Sequence, residues 1–442
     1  MKPGSLAPVV PILVLVLLLS TAGCTFLFGP PALQTNPCSI EAPQVMPAPG
    51  GNESLAAADA ASVVDANNRF ARDMYFRLAG DPHYASGNLF FSPFSLSSAL
   101  AITYEGARGK TADQIRSVFY FPADNATLRT GYSRMYAGLA GGDRNFTLCT
   151  ANALWAEKTY PLLPAYVSTA GTWYSAHVTN LDFIGQPDAS RQTINAWVSD
   201  RTNNKIPNLL PPGSITSLTR LGITNAVYFK GTWVRQFDPG NTVNADFHVS
   251  PSQVSSVKMM QRTDEDAHYL YAETPDLQML SMPYAHGIGS GITMIVLLPR
   301  GSSLAPAEAA LDPANLSALE QSATTRHILV FFPKFVTHTD YSLAGSLAAM
   351  GMPDAFSPDA DFSGLDGTKQ LNVTAVIHSA YVNVDEEGTE AAAATHVSFG
   401  AGAAAPEESV TFRADHPFIF LIQDNDTGTI LFIGRITDPA SS

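Results

Sequence analysis

Cysteine is scarce in this 442-residue chain: three in all, at positions 24, 38 and 149. That excludes a disulfide-dense scaffold, and with no CxxC pair the common zinc-ribbon signatures go too. HExxH and GxSxG are also missing, which removes the zincin helix and the nucleophile elbow. Charge is sparse at 14% of residues, and basic charge most of all: 25 Lys plus Arg against 39 Asp plus Glu, a formal net charge of −14. Without clusters of Lys and Arg to neutralise phosphates, the chain is not expected to bind nucleic acid. What is abundant is apolar material, 45% of residues, enough for a large core and too much for a disordered chain.

Residues 1–23 read as an export signal. Lys2 precedes the uncharged stretch Ala7 to Leu19, which is too short to span a bilayer and is interrupted by Pro8 and Pro11. Ser20-Thr21-Ala22-Gly23-Cys24 resembles a prokaryotic lipoprotein signal, in which cleavage precedes the cysteine and its thiol takes lipid; Thr21 departs from the usual branched or long aliphatic residue. An ordinary cleaved signal is the alternative. Loss of Lys2 makes the mature charge 24 − 39 = −15. Residues 24–57, rich in Pro, Gly and Ala, suit a flexible tether. Cys38 and Cys149 are able to pair outside the cell, but their spacing does not decide it.

Residues 58–442 read as one globular body. Val63, Val64, Phe70, Met74, Phe76 and Leu78 recur at helical spacing, and Ser92-Pro93 marks a helix start. A helix around Trp197 is expected to run until Pro207 ends it. Strand-like runs follow at 223–229, 293–298, 328–332, 373–384, 418–422 and 429–433. Helices first and strands later argue for an α+β fold rather than alternating βαβ units.

The segment from Asp385 to Glu408 holds two small-residue runs, Ala391 to Ala394 and Gly400 to Ala405. Such composition usually means a surface loop. Here, though, Thr389, Ala391, Ala393, Thr395, Val397 and Phe399 form one set that is small or apolar, while Glu390, Ala392, Ala394, His396, Ser398 and Gly400 carry the polarity. That is the period of a strand. The segment therefore fits a loop in one state and a strand in another, with Gly388 where the backbone must turn. The nominal GxGxxA match at Gly400 to Ala405 lacks a following helix and a surrounding βαβ unit, so no dinucleotide or other cofactor is expected.

Taken in order along residues 58–440, the motifs resemble the serpins. They include NLFFSPFSLSSAL from Asn88, GARGKTADQI from Gly106, INAWVSDRTNNKIPNLL from Ile194, NAVYFKGTW from Asn225, Phe332-Pro333-Lys334-Phe335, the hinge DEEGTEAAAAT from Asp385, FRADHPFIF from Phe412 and LFIGRITDP from Leu431. The resemblance implies about nine helices and three β-sheets with an exposed reactive loop. It implies a suicide-substrate inhibitor rather than an enzyme. A serine protease, or alternatively a cysteine protease, attacks the loop; the cut loop enters the main sheet as a strand and traps the acyl-enzyme. The alternative is a non-inhibitory member acting as a carrier or structural protein.

By position, the resemblance implies that Ser92, Ser95, Asn225 and His378 form the shutter where the central strands part. Trp233 marks the breach where the loop enters, and Lys334 pairs with Glu386. Gly388, Thr389, Ala391, Ala392, Ala393 and Ala394 match the inhibitory hinge. Counting from Glu386 places the reactive bond at Gly402-Ala403, with Ala401 and Ala404 as alternatives. Such small residues suit an elastase-like or subtilisin-like protease, because they cannot reach the base of a trypsin-like pocket. The expected partners are that protease and, through lipid on Cys24, a membrane. The chain is expected to be a monomer, lipid-anchored at the cell surface or extracellular, with no metal and no polyanion activation.

Overall fold

The computed structural model describes Met1 and residues 53–140, 146–287, 291–389 and 408–441. The chain divides into two compact units, Met1–Asn36 and Pro37–Ser442, and all helices and strands of the described residues belong to the second. Its helices are α1 (Glu53–Ala79), α2 (Pro93–Gly106), α3 (Gly109–Phe119), α4 (Asn125–Ala140), α5 (Pro164–Tyr174), α6 (Pro187–Arg201), α7 (Ala305–Ala310), α8 (Pro313–Ser322), α9 (Ala344–Met350) and α10 (Ser363–Asp366). Its strands are β1 (Leu89–Phe91), β2 (Phe146–Glu157), β3 (His177–Leu181), β4 (Leu221–Thr232), β5 (Val243–Ser250), β6 (Gln253–Arg262), β7 (His268–Glu273), β8 (Leu277–Pro283), β9 (Ile292–Pro299), β10 (Thr324–Pro333), β11 (Phe335–Ser342), β12 (Val373–Val384), β13 (Gly388–Thr389), β14 (Val410–Arg413), β15 (Phe418–Asp424) and β16 (Ile430–Ile436).

A six-stranded sheet runs β11-β12-β13-β4-β2-β3. The other ten strands form a second assembly, β1-β16-β15-β9-β8-β7-β10-β6-β5, with β14 beside β10. β10 serves two sheets here: Thr324 to His327 pair with β7, and Val330 to Pro333 pair with β6. Mixed helices and sheets confirm the α+β class.

Between the sheets lies the main core. β15 and β16 are buried at every position, which is why Phe418 to Ile422 and Ile430 to Ile433 are continuous apolar runs. α2 is buried along its whole length, as an apolar helix inside a large core must be. Ser92 caps it by accepting from Ser95 N–H at 3.1 Å, and Pro93 supplies its first turn. α6 ends at Arg201, six residues before the proline expected to stop it. There Asn203 and Asn204 take left-handed backbone (φ 52° and 59°), which asparagine tolerates better than most residues.

Candidate functional site

The site is a seam in the six-stranded sheet. β4 and β12 pair in parallel from Val373↔Leu221 to Tyr381↔Tyr228. Above that point they diverge, and β13 lies between them, antiparallel to both. Gly388 and Thr389 pair with Thr232 and Gly231 on one side, and Thr389 with Val384 on the other. The chain reaches this position through a tight turn after β12. Asp385 N–H donates to the Gly388 carbonyl at 2.8 Å, and the Asp385 carboxylate accepts from the N–H groups of Glu387 (3.0 Å) and Gly388 (3.2 Å), an Asx-type turn. Gly388 has φ +151°, and a Cβ there would sit 2.0 Å from the Gly231 carbonyl oxygen. Only glycine meets both demands.

Thr389 is fully buried, and its hydroxyl lies 2.8 Å from the Tyr284 hydroxyl. Tyr284 is itself held by stacking on Trp233 (centroids 4.4 Å, 17° between planes) and by an edge contact with Phe229. Burial pushes the Tyr284 phenol far above its ordinary pKa, so it stays neutral. Trp233 joins the turn twice: its indole N–H donates to the Asp385 carbonyl at 3.1 Å, and its backbone N–H donates to that of Glu387 at 2.8 Å.

Glu386 lies at the same end, 8% exposed. It receives Lys334 Nζ at 2.5 Å and the Thr242 hydroxyl at 2.7 Å. Burial raises its pKa, but these two donors outweigh burial and leave it below the ordinary value. Asp385 moves the other way: burial dominates and raises it, against the two backbone donors.

Farther down the seam a polar cluster sits beneath the β4–β12 ladder. Asn225 and His378 face each other across it as register partners. Ser92 N–H donates to His378 Nε2 at 3.1 Å, so Nδ1 carries the proton, which it gives to the Asn225 side-chain oxygen. Burial pushes the His378 pKa down to about 3. Asn225 donates to Ser95 Oγ at 2.6 Å and to the Asn152 oxygen. Asn152 also accepts from Ser95 Oγ at 2.9 Å and donates to the Tyr136 hydroxyl at 3.1 Å. Ser92 Oγ donates to the Leu431 carbonyl at 2.6 Å, which ties α2 to β16. With its polar groups paired, the cluster is inexpensive to bury.

Ser92, Ser95, Asn225 and His378 thus meet in one network, while Trp233, Lys334, Glu386, Gly388 and Thr389 meet in another. Ala391, Ala392, Ala393, Ala394, Ala401, Gly402, Ala403, Ala404 and Cys24 lie outside the described residues. Sequence reasoning missed Asn152, Tyr136 and Tyr284; Thr242 stands out in it only by its spacing after the motif Asn225 to Trp233, with no contact to Glu386 foreseen. The register Asn152↔Asn225↔His378 across β2, β4 and β12 is the signal for the first, and it exists only once the sheet is known.

A serpin (serine protease inhibitor) family model matches residues 65–439. A serpin-like protein of Methanosarcina acetivorans is 40% identical over 88% of this chain and 91% of its own. The leukocyte elastase inhibitor of Bos taurus is 37% identical over 85% and 98%. The solved structure of uncleaved ovalbumin superimposes with a TM-score of 0.75 at 29% identity, covering 86% of this chain and all of that one.

Proposed function

The chain belongs to the serpin family, and from that premise we propose that it is a suicide-substrate inhibitor of an elastase-like or subtilisin-like serine protease. The observation that carries the reading is β13: before any cleavage, Gly388 and Thr389 already lie between β4 and β12. A loop that continues this strand replaces the parallel β4–β12 pairing with antiparallel pairing on both sides. Residues 390–400 supply the alternation that such a strand needs. Each backbone hydrogen bond gained contributes about 0.5–1.5 kcal/mol net, so a long strand gains many at once. The uncut chain is then held by kinetics rather than by equilibrium. The reactive bond is at Gly402-Ala403 or within two residues of it, in keeping with the elastase inhibitors among the relatives.

On the same reading, residues 1–23 direct export, Cys24 takes lipid and holds the protein at the cell surface, and the domain acts as a monomer. The test is incubation of the purified chain with pancreatic elastase and with subtilisin. A detergent-stable adduct and a released C-terminal peptide starting between Gly400 and Ala405 are expected. Clean cutting with no adduct and no rise in melting temperature overturns inhibition and favours a carrier role.

A further inference from the structure

Cys149 is wholly buried in β2 and is disulfide-bonded. Residues two apart on a strand share a face. Ala151, Ala153 and Trp155, on the Cys149 face, pack against Ile194 and Val198 of α6. Cys149 continues that row and packs with Tyr228 and Tyr381. The bond therefore leaves the α6-bearing face of the sheet. It stands one strand from the seam, because Cys149 pairs with Tyr228 and Tyr228 with Tyr381 at the last rung of the β4–β12 ladder.

The chain has only two other cysteines, Cys24 and Cys38. We infer that Cys149 pairs with Cys38, leaving Cys24 to carry lipid. Both lie outside the described residues, and chemistry separates them: a lipidated cysteine has its sulfur committed to a thioether and cannot also form a disulfide, so on the export and lipid reading above Cys38 is the partner that remains. In forming the bond, the two thiols give up two electrons and two protons to a disulfide-containing oxidant outside the cytoplasm, which leaves as a dithiol.

The consequence is mechanical. On this pairing 38 − 24 = 14 residue steps, at most about 50 Å of fully extended chain, separate the lipid-bearing residue from a crosslink on β2, the strand that pairs with β4 on the side away from the seam. Loop insertion therefore leaves the attachment intact.

The test is peptide mapping of the full chain, isolated from membranes under alkylating, non-reducing conditions. A peptide joining Cys38 to Cys149 is expected, and Cys38→Ser adds one alkylated thiol, on Cys149. Cys24→Ser abolishes membrane partitioning but leaves the disulfide. A Cys24–Cys149 peptide, or a free Cys149 thiol in the unaltered chain, overturns the pairing. A Cys38–Cys149 peptide in a chain that carries no lipid upholds the pairing and refutes the surface reading alone.

Discussion

Replacing Thr389 with Arg tests the proposed mechanism at its first step. Thr389 is fully buried between β4 and β12, with its hydroxyl on Tyr284. An arginine cannot shed its charge in proteins, and burying an unpaired charge there costs several kcal/mol. The Tyr284 hydroxyl, also buried, loses its partner for a further penalty of about 1–3 kcal/mol. Taking only about 3 kcal/mol of this into the insertion barrier slows insertion roughly a hundredfold. Deacylation of the trapped protease is untouched, so the partition turns from inhibition to hydrolysis. The assay is the number of inhibitor molecules consumed per protease inactivated, with gels for the adduct. The variant is expected to be cut at the same bond while the adduct disappears. Thr389→Ser, which keeps the hydroxyl, should retain inhibition. Unchanged stoichiometry in Thr389→Arg refutes the argument that Thr389 must be buried for trapping.

Gly388→Ala places a methyl 2.0 Å from the Gly231 carbonyl at φ +151°, so it too should convert inhibitor to substrate, read on the same gels. Lys334→Ala leaves the Glu386 carboxylate with Thr242 alone. Because Lys334 is 37% exposed, solvent screening discounts the loss to about 1–2 kcal/mol, checked by urea midpoint. His378 sets a pH dependence. Its folded pKa of about 3 lies below its ordinary 6.5, so the unfolded chain binds the extra proton. Stability is full above pH 6.5 and falls toward pH 3, by about 1.4 kcal/mol per unit or about 2 kcal/mol at pH 5. His378→Gln should flatten the fall in urea midpoint across that range; an equal slope in both proteins refutes it.

Most elements whose signal is local were legible from the sequence. β12 was read at its full span, 373–384, because its burial broadly alternates, and α2 was read from Ser92-Pro93, because a cap is a matter of a few neighbouring residues. β2 escaped because nearly every position of it is buried, so it shows no period. The polar partners escaped for a different reason. Asn152 in β2 and Tyr284 just after β8 carry no local signal, and what each does depends on residues far along the chain: Thr389 is 105 positions from Tyr284, and Asn225 is 73 from Asn152.

The sequence by itself determined the family, through motifs spread along the body, and the capacity of residues 389–400 to form a strand, through alternation. It also required glycine at 388. Only the tertiary structure decided that the hinge lies two residues into the sheet, that Thr389 is sealed by Tyr284, and that Cys149 stands beside the seam. Those facts are matters of register, and register is set by which strands meet. Period-two patterning states which face a side chain takes, never which neighbour it meets.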